Sequence, residues 1–528
     1  MSMPTLTDLD TPPLPTTPIR RRVVPTGVWG PLAAAAVGGV LNALAFPSAG
    51  WWPLIFVGTP LLLASLTARR TWVAVGAGAL GGATFLGTHI FWLTVYLGPA
   101  PWAALTGLET VLLTAGAVVI ALAWRTTDAV FVRPWLRSGV TPVVIAALWT
   151  AREYVTSNWP YGGFSWGRLA FSQSESPYGD LAAWVGVAGL SFLIAWVSAL
   201  VVQTARTARA GRPRAVFAVA AVALVGLAAV PPFPVQETGK LRVAAVQGNS
   251  DAGLLAANQP GRILNDHVAA TIPVLDEPVD LVVWPENASD LNPLEYPAAA
   301  AALDLVSARM DAPVVVGTVT QTDEEMFNSL LLWEVGIGAK AQYDKKHPVP
   351  FAEYLPDRDF WYPLAPELFS LIPRDFSIGE RPNVFDIDGV QAGLAICFDI
   401  VDDTLIREMV GRGAEVILAP TNNADFGRTD QSAQQLAIAR LRAIEAGRSV
   451  VNISTVGTSA MIGPDGSTID RLPTFTPGAM VQSVPLSTTI TPAMAAGQVI
   501  ELGTVLGGLS GFAAAGFLAM RVKNRLRG

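Results

Sequence analysis

Cysteine is almost absent, with Cys397 alone in 528 residues. One thiol excludes an internal disulfide and any CxxC metal or redox motif. Histidine is nearly as scarce. His89, His267 and His347 are too scattered to make a zinc site, so neither a metal nor a cofactor is expected. Charge is thin as well: 15% of residues are charged, against about 25% in ordinary soluble proteins. The net charge of −7 comes without a basic domain or stripe outside short loops, which excludes nucleic acid as a partner. No repeat of fixed period is present. Residues Met1–Ile19 are rich in Pro and Thr, lack a base before Arg20 and read as a disordered tail. No short apolar core with a small-residue cleavage pattern follows, so a removable signal peptide is not expected.

What the chain has in excess is hydrocarbon. Hydrophobic residues make up 51% of it, and mean hydropathy is +0.42. Segments suited to crossing roughly 30 Å of bilayer recur, at about Trp29–Phe46, Trp51–Ala68, Trp72–Leu97, Trp102–Trp124, Val140–Thr156, Leu181–Ala205, Ala215–Val230 and Val499–Met520. Gly and Ala run through most of them, as close helix packing in lipid requires. The basic residues test this division independently. With the N-terminus inside, Arg20–Arg22, Arg69–Arg70, Arg125/Arg133/Arg137, Arg206/Arg209/Arg212/Arg214 and Arg521/Lys523/Arg525/Arg527 all fall on the cytoplasmic side, and the short outer loops keep only Arg168. The positive-inside rule then predicts an N-in, C-in protein of the cell membrane. The expected organisation is a cytoplasmic tail (1–27), a membrane domain of seven helices (28–231), an extracytoplasmic globular domain (240–491), an eighth span (497–520) and a basic cytoplasmic tail (521–528).

The outer domain reads as α/β. Strands are expected at Leu241–Val246, Val279–Trp284, Pro313–Val319, Val390–Cys397, Val416–Ala419 and Val450–Ser454, with a helix over Asp430–Gly447. Three of its residues stand near strand ends. Glu286 closes Trp284-Pro-Glu286, Lys345 follows Tyr343-Asp, and Cys397 ends an apolar run. A thiolate attacks carbonyls, a carboxylate at a desolvated rim serves as a base, and a fixed ammonium stabilises an oxyanion. Singly, each has an ordinary reading: Cys397 as a small buried hydrophobe, Glu286 as a solvated loop residue, Lys345 as part of a basic turn. Together they point to nucleophilic acyl or amide transfer.

These motifs carry a resemblance. Trp284-Pro-Glu286, Tyr343-Asp-Lys345 with Val349-Pro-Phe-Ala-Glu-Tyr-Leu-Pro356, and Ile396-Cys-Phe-Asp399 are similar to those of the nitrilase (carbon–nitrogen hydrolase) superfamily. That superfamily has an αββα sandwich and a Glu-Lys-Cys triad. The resemblance implies Glu286 as general base, Lys345 as oxyanion stabiliser, Cys397 as nucleophile and Glu353 as a supporting carboxylate. The apolar segments, Val246-Gln-Gly-Asn249 and Phe164-Ser-Trp-Gly-Arg-Leu-Ala-Phe-Ser-Gln173 narrow it to the apolipoprotein N-acyltransferase family, the integral membrane branch. For that family the implied partners are a membrane phospholipid as acyl donor, a diacylglyceryl apolipoprotein as acceptor and the lipid bilayer, in a ping-pong reaction through a Cys thioester. Phe398 and Asp399 replace the usual Tyr-Glu. The first keeps an aromatic wall without its hydroxyl, and the second keeps the charge on a shorter stem.

Two other readings compete. A membrane-tethered nitrilase-type amidase acting on a small amide would not need eight spans. A transporter or receptor would leave the Glu-Lys-Cys coincidence unexplained. Among other residues, Leu355–Ile378 reads equally as an apolar lid or a packing insertion. Arg152 and Glu153 are expected to pair, in preference to Arg152 binding a lipid phosphate; Glu109, a mid-span carboxyl, reads equally as functional or as hydrogen-bonded inside the bundle; and Asn328 and Asn422–Asn423 are expected to shape the site through backbone contacts.

Overall fold

The computed structural model describes residues 27–525 apart from 69, 132, 209–212, 254–255, 257 and 373–374. The tail 1–26, Arg20–Arg22, Arg69, Arg209, Arg212 and Arg527 therefore lie outside the described residues. The chain opens with α1 (Trp29–Leu44), α2 (Ile55–Ser65), α3 (Thr71–His89), α4 (Leu93–Leu97), α5 (Pro99–Val130), α6 (Pro134–Asn158), α7 (Ala182–Thr207) and α8 (Pro213–Ala228). The run expected over Trp72–Leu97 is broken after His89. The His89 carbonyl accepts a hydrogen bond from Gln434 Nε2 at 3.1 Å, far along the chain, and the helix stops there. Trp51–Ala68 is shortened likewise, to an apolar helix over Trp52–Ser65.

Small residues let these helices meet. A Cβ on Gly38 of α1 would stand 2.7 Å from the Gly58 carbonyl of α2, so no larger side chain fits that crossing. The outer surfaces stay apolar: Val37, Leu108, Val111, Phe217 and Val222 are all exposed. An apolar surface of that extent calls for an apolar surrounding.

The α/β part contains β1 (Gly239–Gln247), α9 (Arg262–Thr271), β2 (Leu281–Val283), α10 (Pro297–Met310), β3 (Val314–Gln321), β4 (Met326–Glu334) and β5 (Gly338–Asp344). It continues through α11 (Arg358–Trp361), α12 (Pro366–Phe369), β6 (Val384–Ile387), β7 (Val390–Leu394), α13 (Asp403–Gly411), β8 (Val416–Thr421) and α14 (Gln431–Ala446). It closes with β9 (Ser449–Ser454), β10 (Ala460–Ile462), β11 (Thr468–Arg471) and β12 (Gly478–Leu486). One sheet has the order β12-β1-β2-β3-β4-β5 and the other β11-β10-β9-β8-β7-β6. β1, β2 and β3 run parallel, as do β7, β8 and β9, and the flanking strands are antiparallel.

Alternation along the strands builds the layers. Val243 and Ala245 of β1 face the second sheet with Val283, Val315, Leu394, Leu418 and Val451. Ala244 and Val246 face outward, with Leu264, Leu303 and Val306 of α9 and α10. The result is an αββα sandwich. On the far side, Ile406, Met409, Ile438, Leu441 and Ile444 of α13 and α14 belong to one apolar cluster with Phe85, Leu148, Phe171 and Leu190 of the helical part. The outer helix layer is therefore also the floor on which the apolar helices stand.

The last helix, α15 (Pro492–Arg525), returns to that helical part and continues through residues 521–525, where a tail was expected. Among the described residues, three helices are long and apolar enough to cross a membrane: Pro99–Val130, Gly179–Thr207 and Pro492–Arg521. Trp29–Leu44, Trp52–Ser65 and Arg214–Ala228 are shorter apolar helices. At 1.5 Å per residue the longest of the three covers well over the roughly 30 Å of hydrocarbon.

A buried ion cluster joins the two parts. The Arg442 guanidinium is fully buried on α14. It donates to Asp403 at 2.6 Å and Glu445 at 2.5 Å, and to the carbonyls of Ile400 and Val401 at 3.0 and 2.6 Å. Glu445 in turn accepts from the Val187 N–H at 2.9 Å, freed where Gly186 (φ 73°) kinks α7. Arg168 makes the second contact to Asp403, at 2.7 Å. Removing one member of such a cluster leaves unpaired buried charge. Arg442→Met is expected to destabilise the protein by about 3–5 kcal/mol, read as a large drop in the thermal midpoint in detergent.

Candidate active site

Parallel strands collect polar residues at their C-terminal ends, and four elements of this sandwich converge there. Glu286 follows β2, Lys345 follows β5 directly, Cys397 follows β7, and Asn422 follows β8. The chain must turn sharply at each. Asn287 and Cys397 have φ of 54° and 49°, a region non-glycine residues avoid and which concentrates at functional sites. Close backbone approach helps too. A Cβ on Gly317 of β3 would lie 2.4 Å from the Pro285 carbonyl and 2.6 Å from the Glu286 Cα, so only glycine lets β3 pass behind Glu286.

Lys345 is the centre of the arrangement. It is 2% exposed, and its Nζ lies 3.1 Å from Glu286 Oε1 and 2.9 Å from Glu353 Oε2. Its backbone N–H donates to the Asn328 carbonyl at 2.8 Å. Asn328 Nδ2 donates to Glu286 Oε1 at 2.6 Å and to Glu353 Oε1 at 3.0 Å, so one amide ties both carboxylates. The Asn422 N–H donates to Glu286 Oε2 at 2.7 Å, and the Val349 N–H to Glu353 Oε2 at 2.6 Å. Burial pulls the Lys345 pKa down, but the carboxylates of Glu286 and Glu353 outweigh it and hold the ammonium well above the ordinary lysine value.

Cys397 is half-buried and feels the charges of Glu286, Lys345 and Glu353. Burial pushes its thiol up to about 12, and Glu286 adds to the effect. Lys345 and a hydrogen bond from Thr421 oppose it. Gln435 Nε2 lies 3.6 Å from the sulfur and is held by Thr421 Oγ1 at 3.0 Å. Burial and Glu286 together thus favour the thiol over the thiolate.

Asp399 turns out to be a clamp. Its carboxylate accepts from the Ile396 N–H at 3.1 Å, the His347 N–H at 3.0 Å and the Tyr343 hydroxyl at 2.8 Å. It fastens the cysteine turn to the loop that carries Lys345. Phe398 lies parallel to Trp166 and Phe164, with centroids 6.3 Å from each, so the helical part supplies one wall of the site. Trp166 Nε1 donates to Gln434 at 2.7 Å. Gln435 is signalled by no motif, and the motif around Phe164 and Trp166 does not announce that it packs on Phe398, since both contacts depend on packing between distant segments.

The structure thus brings together Glu286, Lys345, Cys397 and Glu353, with Phe398 and Asp399 at their edge. Lys346, left outside the site, pairs with Glu408 at 2.8 Å. Asn328 acts through its side chain as well as its backbone. Arg152 and Glu153 pair at 3.4 Å, and Glu153 also accepts from Trp149 Nε1 and the Leu169 N–H. In Leu355–Ile378, Leu355, Phe369 and Ile372 form a small core of their own, and Phe360, Leu364 and Ile378 are exposed. That segment is latched to the helical part. Tyr161 OH donates to Asp357 at 2.7 Å, and Trp361 Nε1 to the Tyr161 oxygen at 3.1 Å.

A double-sheet sandwich with a cysteine, a lysine and two glutamates at its rim defines an acyl-transferring enzyme of the nitrilase superfamily, and residues 242–492 match the carbon-nitrogen hydrolase family model. Residues 38–200 match the apolipoprotein N-acyltransferase N-terminal domain. A protein of Mycolicibacterium smegmatis named apolipoprotein N-acyltransferase is 34% identical over 520 residues, covering 91% of this chain and 84% of that protein. One of Photobacterium profundum with the same name is 27% identical over 483 residues, covering 88% and 89%. The chain belongs to the apolipoprotein N-acyltransferase family. An amidase from Nesterenkonia sp. is a similar solved structure, at 19% identity and TM-score 0.36, covering 48% of this chain and 94% of that one.

The thiol's high pKa sets an expectation. Iodoacetamide labelling of Cys397 should rise about tenfold per pH unit from pH 7 to 9 without a plateau, since only the thiolate reacts. Lys345→Met should lower the labelling rate at every pH, because it removes the charge that favours the thiolate. A plateau below pH 8 would show a thiol already activated at rest. Separately, Gly317→Ala should displace Glu286 and cost more than tenfold in turnover, measured beside the thermal midpoint.

Proposed function

We propose that the chain transfers an acyl group from a membrane phospholipid, through a thioester on Cys397, to the α-amine of a diacylglyceryl-cysteine at the N-terminus of a lipoprotein. The single observation that carries the reading is the buried Lys345 held by two glutamates next to a half-buried cysteine. Glu286, with an oxygen committed to Asn422 N–H and the other to Lys345 and Asn328, takes the thiol proton as the sulfur attacks the ester carbonyl. A C–S bond forms, and the oxyanion gathers charge beside the Lys345 ammonium; losing such a donor costs about 3 kcal/mol. The C–O bond then breaks, the proton passes from Glu286 to the leaving alkoxide, and a lysophospholipid departs. In the second half the amine attacks the thioester, a C–N bond forms, the C–S bond breaks, and Glu286 receives the amine proton. Glu353 holds the lysine in place, and Asp399 holds the cysteine turn.

The helical part gives this chemistry its substrates. Drawing an acyl chain into water costs about 0.8 kcal/mol per CH₂, so both lipids are best met in the bilayer. We read α1–α3 and α5–α8 with α15 as an eight-span membrane domain, with the α/β sandwich on the extracytoplasmic side and both termini in the cytoplasm. The Arg-rich loops on one side support this topology. The exposed apolar residues of Leu355–Ile378, opposite the Tyr161 latch, support a lid at the membrane surface. A small-amide hydrolase would leave the apolar helices and the family relationship without a role.

Incubation with phospholipid vesicles followed by intact-protein mass spectrometry should show one added acyl group, confined to Cys397 and absent from Cys397→Ala. Adding a diacylglyceryl-cysteine peptide should discharge it onto the peptide amine. Steady hydrolysis with no acylated peptide would overturn the transferase reading.

A further inference from the structure

Beside the cysteine turn lies a crevice that the chemistry above does not use. It has a volume of about 80 Å³ and lies between the end of α6, the loop 162–168, the start of α13 and the first turns of α15. Phe398, next in sequence to Cys397, forms part of its wall. The walls come from where α6 ends and α15 begins, so in the proposed topology the crevice sits at the depth of lipid head groups.

Its electrostatics leave hydrogen-bond donors unspent. Asp403 is committed to Arg168 and Arg442, at 2.7 and 2.6 Å. Asp402 caps α13 through the Leu405 N–H at 2.7 Å and faces His347 at 3.6 Å. Glu501 faces Arg168 at 3.6 Å. Three of the remaining donors stand out. Arg168 is 3% exposed, and its Nε–H has no partner among the described residues. The Ser157 hydroxyl is buried and equally unpartnered. Half-buried Arg407 makes only a 3.4 Å contact to Thr404, and among the described residues no carboxylate lies within ion-pair distance of it. Buried donors without acceptors are costly. A guanidinium with a hydroxyl beside it is the donor set that meets phosphate oxygens well.

We propose that this crevice holds the phosphodiester of the acyl donor's head group, with Arg407, the Arg168 Nε–H and the Ser157 hydroxyl as its donors. The inference rests on the phospholipid-donor reading and deepens it. Anchored there, the phosphate stands a glycerol's length from the ester to be attacked, so the crevice sets which carbonyl reaches Cys397. The thioester and the amine acceptor carry no phosphate, so the crevice serves the first half-reaction alone.

The test compares two donors on the full-length protein in detergent: phospholipid vesicles and p-nitrophenyl palmitate, an ester without phosphate. Arg407→Gln should lower kcat/KM for acylation by the phospholipid about tenfold more than kcat/KM for the phosphate-free ester, as loss of one charge-assisted hydrogen bond implies. Ser157→Ala, a milder change that keeps the fold if Arg407→Gln does not, should shift the ratio in the same direction by a smaller factor. Inorganic phosphate at high concentration should compete weakly with the vesicle donor and leave acylation by the phosphate-free ester unchanged. Equal losses on both donors, an unchanged ratio in Ser157→Ala, or equal inhibition of both donors by inorganic phosphate would each overturn the assignment to a lipid phosphodiester. Any of those results leaves the acyl adduct on Cys397 intact. Failure of the wild type to form that adduct from phospholipid is the separate outcome that removes the donor reading itself.

Discussion

An ammonium ion buried between two carboxylates is the constraint on which this molecule is organised. Lys345 could not stay charged in the sandwich interior without Glu286 and Glu353, and those two could not stand so close together without it. Every neighbouring feature serves that contact. Asn328 bridges the carboxylates, Gly317 lets a strand pass behind one of them, and the backbone of Asn422 reaches across from the other sheet. The site is thus assembled across the gap between two sheets. Each sheet alone holds half of it, and the apolar packing between them brings the halves together.

The residues that converge at the candidate site could be picked out in the sequence because they sit in short, rigid settings at strand ends. Trp284-Pro-Glu286 and Ile396-Cys397 are legible for that reason, and Lys345 because a tyrosine and an aspartate lead into it. The parallel strands were legible too, as short apolar runs. β4, β5 and β12 escaped because antiparallel strands at sheet margins mix polar and apolar residues. β12 is fixed by β1, far along the chain, while β4 and β5 join β3 through successive hairpins. Gln435 carries no local mark, and the motif around Phe164 and Trp166 does not say where it packs; all three reach the cysteine because α14 and the loop after α6 are folded against it. Helix ends were the least legible feature. Hydropathy runs on smoothly past His89, and what ends the helix there is an amide from Gln434.

The helical and α/β parts are joined by chemistry of two kinds. Ile438, Leu441 and Ile444 share a continuous apolar cluster with Phe171 and Leu190. Through that cluster run charges that carry geometry. Arg442 holds the carbonyls of Ile400 and Val401, in the same short turn that begins at Cys397, and reaches Glu445, which caps the broken backbone of α7 at Val187. The turn that begins at Cys397 therefore takes its position partly from a kink in an apolar helix.

In the proposed topology that kink lies in the bilayer, one carboxylate and one guanidinium away from the backbone behind Cys397. A helix answers a thinner or thicker bilayer by tilting, and the bend at Gly186 is where α7 would absorb such a tilt. The strain would pass along one carboxylate and one guanidinium to the backbone behind the nucleophile. In the proposed topology, bilayer thickness would then reach the position of Cys397 through this chain of contacts alone.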